Sequence, residues 1–389
     1  MKKIVFDLTK TQSSSDGKFH GGGKYGIVVF KKLVELAHES IIAYYNKENY
    51  INDEVLDLIE KRHIPYYFQK EIGIVEVAKK EKAVIYSPLF DKIYLKDSSI
   101  KVLVTIHGIR DLVIPSDKYK YCYEQDNGLR KKIHNMLASN LGVLRNKHLV
   151  LKARNKYNAI LNSPNVTYVT VSNHSKYAIM CFFPFVKSEN LKVFYSPSTI
   201  FCREEDKIAS KYGKYWLLVS GNRWIKNSIR AIIAFDELFT ERLEIEGDVV
   251  ITGLKSLDEL KVNVANRSRF KCVNYVDEDE LRGLYKHAYA FVYPTLFEGF
   301  GYPPLEAMHE GCPVISSAIA SVPEVCGNAV LYFNPYSIAE LKMRILQIEE
   351  EKFRKDYAER GIRKQREVEI MQDRDLMDFC NYIIAFAQQ

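Results

Sequence analysis

Short runs of β-branched and aromatic residues alternate with stretches of helical character along the chain, and few folds accommodate that alternation. Runs apolar at nearly every position suit strands buried on both faces, the condition inside parallel sheets that carry helices on each side. The expected strands of the first half are Ile4 to Leu8, Ile41 to Tyr45, Ala83 to Tyr86, Val102 to Ile106, Val166 to Val171 and Leu191 to Phe194. The second half offers Trp216 to Ser220, Val249 to Thr252, Lys271 to Val273, Ala290 to Tyr293 and Val314 to Ser316. A chain of 389 residues fits two such layered domains better than one. From Ser196-Pro197-Ser198 to Lys211-Tyr212-Gly213, turn residues and charge replace periodicity, which places the junction there. The chain thus divides into residues 1–196, residues 197–372 and a terminal segment 373–389, whose Leu376, Phe379, Ile383 and Phe386 recur at helical spacing.

The seven cysteines are scattered without any CxxC pair, so neither a disulfide framework nor a zinc site is expected. The N-terminal run Lys2 to Leu8 is too short for a signal peptide, and nothing later approaches a membrane span, so a soluble cytoplasmic protein is expected. A net charge of +7 is mild, but it is concentrated between His107 and Ile160. Lys118, Lys120, Arg130, Lys131, Lys132, Arg145, Lys147, Lys152, Arg154 and Lys156 are interleaved there with Tyr119, Tyr121, Tyr123, Leu137 and Leu149. Such a face suits anionic lipid head groups, a phosphorylated acceptor, or simply a solvated helix surface. Nucleic acid is not the expected partner, since no helix-turn-helix, RNA-binding or zinc-finger signature accompanies the charge.

The most chemical stretch is Glu298-Gly299-Phe300-Gly301-Tyr302-Pro303-Pro304-Leu305-Glu306, two carboxylates on either side of a glycine turn that runs into a helix. Glycines let bare main chain approach a ligand, and prolines suit a first helical turn, where an N–H would lack a partner. Gly301, Tyr302 and Leu305 keep their N–H donors and favour an anion, while the carboxylates favour hydroxyls. A nucleotide sugar presents both kinds of group. Taken singly, Glu306 would equally serve as a dipole complement in a first helical turn, and Glu298 as a strand end in solvent.

The flanks decide for the pair. Leu281, Tyr285, Pro294, the two glutamates, Glu306-Ala307-Met308, Gly311, Pro313-Val314, Pro323-Glu324-Val325 and Gly327 lie in a stretch from Tyr275 to Pro335 that closely resembles the donor half of glycosyltransferase family 4. That resemblance implies a retaining transferase of the α/β GT-B class, two Rossmann-like domains with parallel sheets facing a central cleft and a C-terminal helix crossing back to the first domain. It implies a nucleotide-sugar donor, UDP- or GDP-linked, no further cofactor, and a glycan or lipid-linked acceptor in surface-glycan assembly, at the inner face of the membrane.

The resemblance also distributes roles. Breaking a sugar–diphosphate bond builds negative charge on phosphate, and Arg223 and Lys226 in Ser220-Gly221-Asn222-Arg223-Trp224-Ile225-Lys226-Asn227 are the implied cations. Glu298, with the Gly299, Phe300 and Gly301 amides, falls to the donor sugar; Glu306 falls to the ribose, and the main chain at Tyr275 and Val276 to the base. Gly22, Gly23 and Lys24 are the implied glycine loop against the diphosphate, and His107 the strand-end histidine facing the sugar. Gly108 stands where the family often has aspartate, leaving Asp111 as a substitute. Ser172 resembles the family's serine turn, with a helix N-cap as its plainer role. Because the leaving phosphate itself takes the acceptor proton in a front-face reaction, no side-chain base is implied.

Two other motifs need weighing. Gly21-Gly22-Gly23-Lys24-Tyr25-Gly26 satisfies GxGxxG, yet Thr9 to His20 separate it from the first strand, unlike a dinucleotide fingerprint. Asp277-Glu278-Asp279 satisfies DxD, yet Glu280 makes Asp277 a helix N-cap; Asp373-Arg374-Asp375 is expected to start the terminal helix. No metal is therefore expected. A nicotinamide oxidoreductase and a non-catalytic scaffold of the same fold remain as rivals, separable by nucleotide binding and donor hydrolysis.

Overall fold

The computed structural model describes residues 2–13, 21–123, 142–200, 211–242 and 245–389. Arg130, Lys131, Lys132 and Leu137 of the basic stretch lie outside them, as does the side chain of Arg145. The chain forms two compact units, one of Met1–Ile109, Ala153–Phe201 and Glu369–Gln389, the other of Arg110–Lys152 and Cys202–Val368.

In the first unit, strands β1 (Ile4–Asp7), β2 (Ile41–Tyr45), β3 (Tyr66–Phe68), β4 (Val84–Ser87), β5 (Val102–Ile106), β6 (Val166–Thr170) and β7 (Lys192–Val193) make one parallel sheet. Their order is β3-β2-β1-β4-β5-β6-β7, with Ile4 paired to both Ile41 and Val84. Strands β1, β2, β4 and β5 are buried at every position, as covered parallel strands must be. Phe6 meets Phe30 and Tyr86 edge-on at 5.1 and 5.0 Å, tying a helix, Gly21–Ala37, to the sheet.

The second unit repeats the plan with β8 (Tyr215–Leu218), β9 (Asp248–Thr252), β10 (Phe270–Val273), β11 (Ala290–Tyr293), β12 (Val314–Ser317) and β13 (Leu331–Phe333). The order β10-β9-β8-β11-β12-β13 is that of a doubly wound nucleotide-binding sheet, in which ligands lie beyond the carboxyl ends of the two strands where the winding reverses. Those strands are β8 and β11. Trp216, Phe235, Ile251, Val292 and Leu331 fill the core beneath them.

The structure departs from the sequence reading in four places. Strands β3 and β13 were not expected: each is a three-residue strand at a sheet edge, too short for a period to show. The terminal helix does not begin at Asp373; it runs unbroken over Glu351–Gln388, because no Pro interrupts Glu351 to Arg374 and its one glycine, Gly361, is tolerated within a helix. Its residues from Glu369 onward group with the first unit, where Phe379 lies 5.0 Å from Phe194 and 5.6 Å from Tyr86, and Gln372 donates to the Ser196 carbonyl at 2.5 Å. Gly21, Gly22 and Gly23 do not form a loop but the first turn of Gly21–Ala37. Finally, Arg110–Lys152 groups with the second unit although it lies within residues 1–196, because Asp117 and Tyr123 are bonded to the helix Ser228–Glu241.

Candidate active site

Beyond β8 the chain turns through Ser220 to Asn227 and enters the helix Ser228–Glu241. Beyond β11 it runs through Pro294 and Thr295 to Glu298. The two turns are knitted by main chain, with Leu296 N donating to Ile225 O at 2.8 Å. This brings Lys226 Nζ to 2.7 Å from Glu298 Oε1 and 2.6 Å from the Tyr293 hydroxyl. Thr295 donates to the same carboxylate oxygen at 2.7 Å, and Ser321 to the Glu298 carbonyl at 3.1 Å. The side chains of Lys226 and Glu298 are only 8% and 16% exposed, so Glu298 is no solvent-facing strand end.

Burial sets the electrostatics. It pulls the Lys226 ammonium below the ordinary lysine value, helped by the nearby positive charge of Arg223 and opposed by Glu298. Burial alone would push the Glu298 carboxyl up; the Lys226 charge and hydrogen bonds from Lys226, Tyr293 and Thr295 outweigh it and hold the group below the ordinary glutamate value. The Glu298 carboxyl is therefore ionised at neutral pH. An ammonium has three protons, and Tyr293 and Glu298 take two. Arg223 itself is exposed at the start of the turn Trp224–Lys226.

The glycine turn after Glu298 folds as its residues dictate. Gly301 has φ +108°, where a side chain would be strained, and caps the helix Tyr302–His309 with prolines just inside. Phe300 is buried, its ring 5.7 Å from that of Tyr302. Leu305 is buried too, and Tyr302 is half-buried. Glu306 lies in the second turn, not the first, which excludes it as a dipole complement; Tyr285 donates to its Oε2 at 3.3 Å. Tyr275 and Val276 lie further off along the sheet edge, after β10, just before Asp277 caps its helix through the Glu280 amide at 2.8 Å.

In the first unit, Gly22, Gly23 and Lys24 sit in the opening turn of the helix Gly21–Ala37. A Cβ at Gly26 would lie 2.5 Å from Thr11 Cγ2 and 2.9 Å from Pro88 Cγ, so glycine lets this helix approach the segments after β1 and β4. His107 ends β5. Its Nε2 lies 2.9 Å from the Pro88 carbonyl, which can only accept, so Nε2 carries the hydrogen. Tyr25 meets the ring edge-on at 4.7 Å and is itself held through Thr105 at 3.2 Å. Gly108 has φ +141°, a conformation in which aspartate would be strained, and Asp111 pairs with its neighbour Arg110 at the surface. Ser172 is a helix N-cap, accepting from Ser175 N at 3.2 Å.

The sequence reading missed Tyr293, Thr295, Tyr25 and Arg230 as supports. Only Arg230 left a signal, a cation among Ile229, Ala231, Ile232 and Phe235 in the apolar opening turns of its helix.

Two doubly wound parallel sheets, the second with a buried lysine–glutamate pair at its strand-order reversal, define an α/β architecture of two Rossmann-like units. Residues 203–365, a stretch of the second unit, match the model of the family glycosyl transferases group 1. The O-antigen chain mannosyltransferase RfbU of Salmonella typhimurium is 31% identical over 169 residues, 42% of this chain and 46% of that protein. The O-antigen chain mannosyltransferase B of Escherichia coli is 29% identical over 164 residues, 40% of this chain and 43% of that protein. The chain thus matches just under half the length of these relatives. The fold extends further: Anabaena HepE in complex with UDP-glucose superposes with a TM-score of 0.61 at 14% identity, covering 99% of this chain and all of that one. The architecture is GT-B.

Proposed function

We propose that this protein transfers a sugar, with retention, from a nucleotide diphosphate donor to an acceptor hydroxyl during surface-polysaccharide synthesis, as a member of glycosyltransferase family 4. The Lys226–Glu298 pair at the β8–β11 reversal carries the reading. Lys226, its third proton directed to a phosphate oxygen, and Arg223 stabilise the charge that builds on the leaving diphosphate. Glu298 accepts from donor-sugar hydroxyls, Gly299, Phe300 and Gly301 offer amides beside it, and Glu306 accepts from the ribose. Tyr275 and Val276 take the base through main chain. His107 and the helix start at Gly22, Gly23 and Lys24 keep the roles implied by the family resemblance. The donor is the only small molecule the reaction needs, and no metal takes part.

The relatives' mannosyltransferase names and HepE's UDP-glucose support a hexose on a GDP or UDP carrier. Among the described residues no helix is long and apolar enough to cross a membrane. The helix Gly142–Leu161 contains no carboxylate and exposes Lys147, Lys152, Arg154 and Lys156, which supports peripheral contact with an anionic membrane carrying a lipid-linked acceptor. A thermal-shift screen tests the core claim. UDP or GDP at 100 times its dissociation constant should stabilise the protein by about 2.7 kcal/mol, whereas NAD should not; stabilisation by NAD alone overturns the reading.

A further inference from the structure

The turn bearing Lys226 is held from a distant part of the chain. Asn227, next in sequence, adopts φ +58°, and its amide nitrogen donates to the carbonyls of Pro294 and Pro335, both at 2.9 Å. Its Oδ1 accepts from Arg230 Nη1 at 2.7 Å. The same guanidinium grips both oxygens of Asp117, at 3.0 and 2.9 Å, with the two side chains 5% and 7% exposed. Tyr119 stacks on the guanidinium at 4.7 Å. The contact continues at Tyr123, whose hydroxyl accepts from Ile229 N at 2.9 Å, supplying the cap that Asn227's own side chain does not.

A buried ion pair is weak evidence for stability, since apolar side chains of similar volume do as well, and its best-attested use is to fix one geometry. Here the geometry fixed is that of Lys226. A left-handed non-glycine residue persists only where its surroundings over-determine it, and Asn227 is bonded at every heavy atom of its amide. A lysine could not replace Arg230, because one planar fork must serve Asp117 and Asn227 together.

We propose that Asp117, Arg230 and Asn227 form a positioning chain that sets the Lys226 ammonium for the donor diphosphate, making residues 110–123 a working part of the donor half although they precede the matched domain. This rests on the donor reading above. The test is a double-mutant cycle on the full-length protein, titrated with UDP and with GDP by calorimetry. Asp117→Asn weakens binding of the preferred nucleotide about tenfold in the parent but less than twofold once Lys226→Ala is present, the signature of coupled residues. Arg230→Lys, keeping the charge without the fork, repeats the loss. Equal loss in both backgrounds, or full affinity with lysine at 230, overturns the positioning chain alone. Unchanged binding in Lys226→Ala by itself overturns the donor reading and the chain with it.

Discussion

The two sheets share a winding plan, yet their strand ends at the reversal are chemically opposite. In the second unit the polar groups are a buried lysine–glutamate pair, Lys226 and Glu298, with Tyr293 as a further partner of the lysine. In the first unit the corresponding groups close on one another: Asp7 accepts from Thr9 and Tyr94, and Tyr94 also bonds Ser87 at 2.8 Å. Burial raises the Asp7 carboxyl above its ordinary value despite those bonds, whereas Glu298 is held below its own. The contrast teaches that topology supplies the place and side chains supply the chemistry. A buried carboxylate with a cation in contact is kept charged and reactive toward a ligand. One with only neutral donors becomes a piece of framework.

The largest effect that can break this comparison is on turnover. Lys226→Ala should lower the transfer rate by roughly 10²–10³, the usual loss for a removed transition-state donor. It should also destabilise the protein by about 3–5 kcal/mol by leaving Glu298 buried and unpaired. Lys226→Met with Glu298→Gln should recover much of the stability and none of the rate, measured by denaturant melts and initial rates. If the single variant keeps its rate, the charged strand end is framework like its counterpart.

The pH dependence sharpens the contrast. Because the folded protein depresses Glu298, the unfolded chain binds more protons as pH falls through the carboxylate range near about 4.3, so this group's stabilisation is present at neutral pH and lost in acid. Asp7, raised in the fold, contributes with the opposite sign: the folded chain holds its proton more tightly, so its contribution favours the fold in acid and is lost as pH rises. Glu298→Gln should therefore flatten the loss of stability between pH 7 and 4, and Asp7→Asn should not. Equal slopes in parent and Glu298→Gln would show that the pair is not charged.

The smallest effect concerns the first unit. His107→Ala should cost about 1 kcal/mol of stability through the lost Pro88 bond. Its transfer rate should fall about tenfold, roughly 1.4 kcal/mol of barrier. An unchanged rate would leave the first strand-end region without a catalytic share.

Legibility in the sequence followed burial and length. Eleven strands showed because covered parallel strands are apolar at each position; Tyr66–Phe68 and Leu331–Phe333 did not, being short edges. The helix Glu351–Gln388 was read only in its last third, where Phe379, Ile383 and Phe386 pack in one stripe. Upstream its charged face hides the period.

What the sequence determined alone was local: the strand runs, the glycine-and-proline start of Tyr302–His309, the Asp277 and Ser172 caps, and the candidate cations and carboxylates. These depend on residues a few positions apart, whose propensities act over one turn. Only the tertiary structure decided that Lys226 touches Glu298, that Asp117 reaches Arg230, and that Arg110–Lys152 belongs with the second unit. Those contacts join residues 72 and 113 positions apart. No local preference encodes such a pairing, which arises when the sheet closes its order and burial leaves each charge one partner within reach.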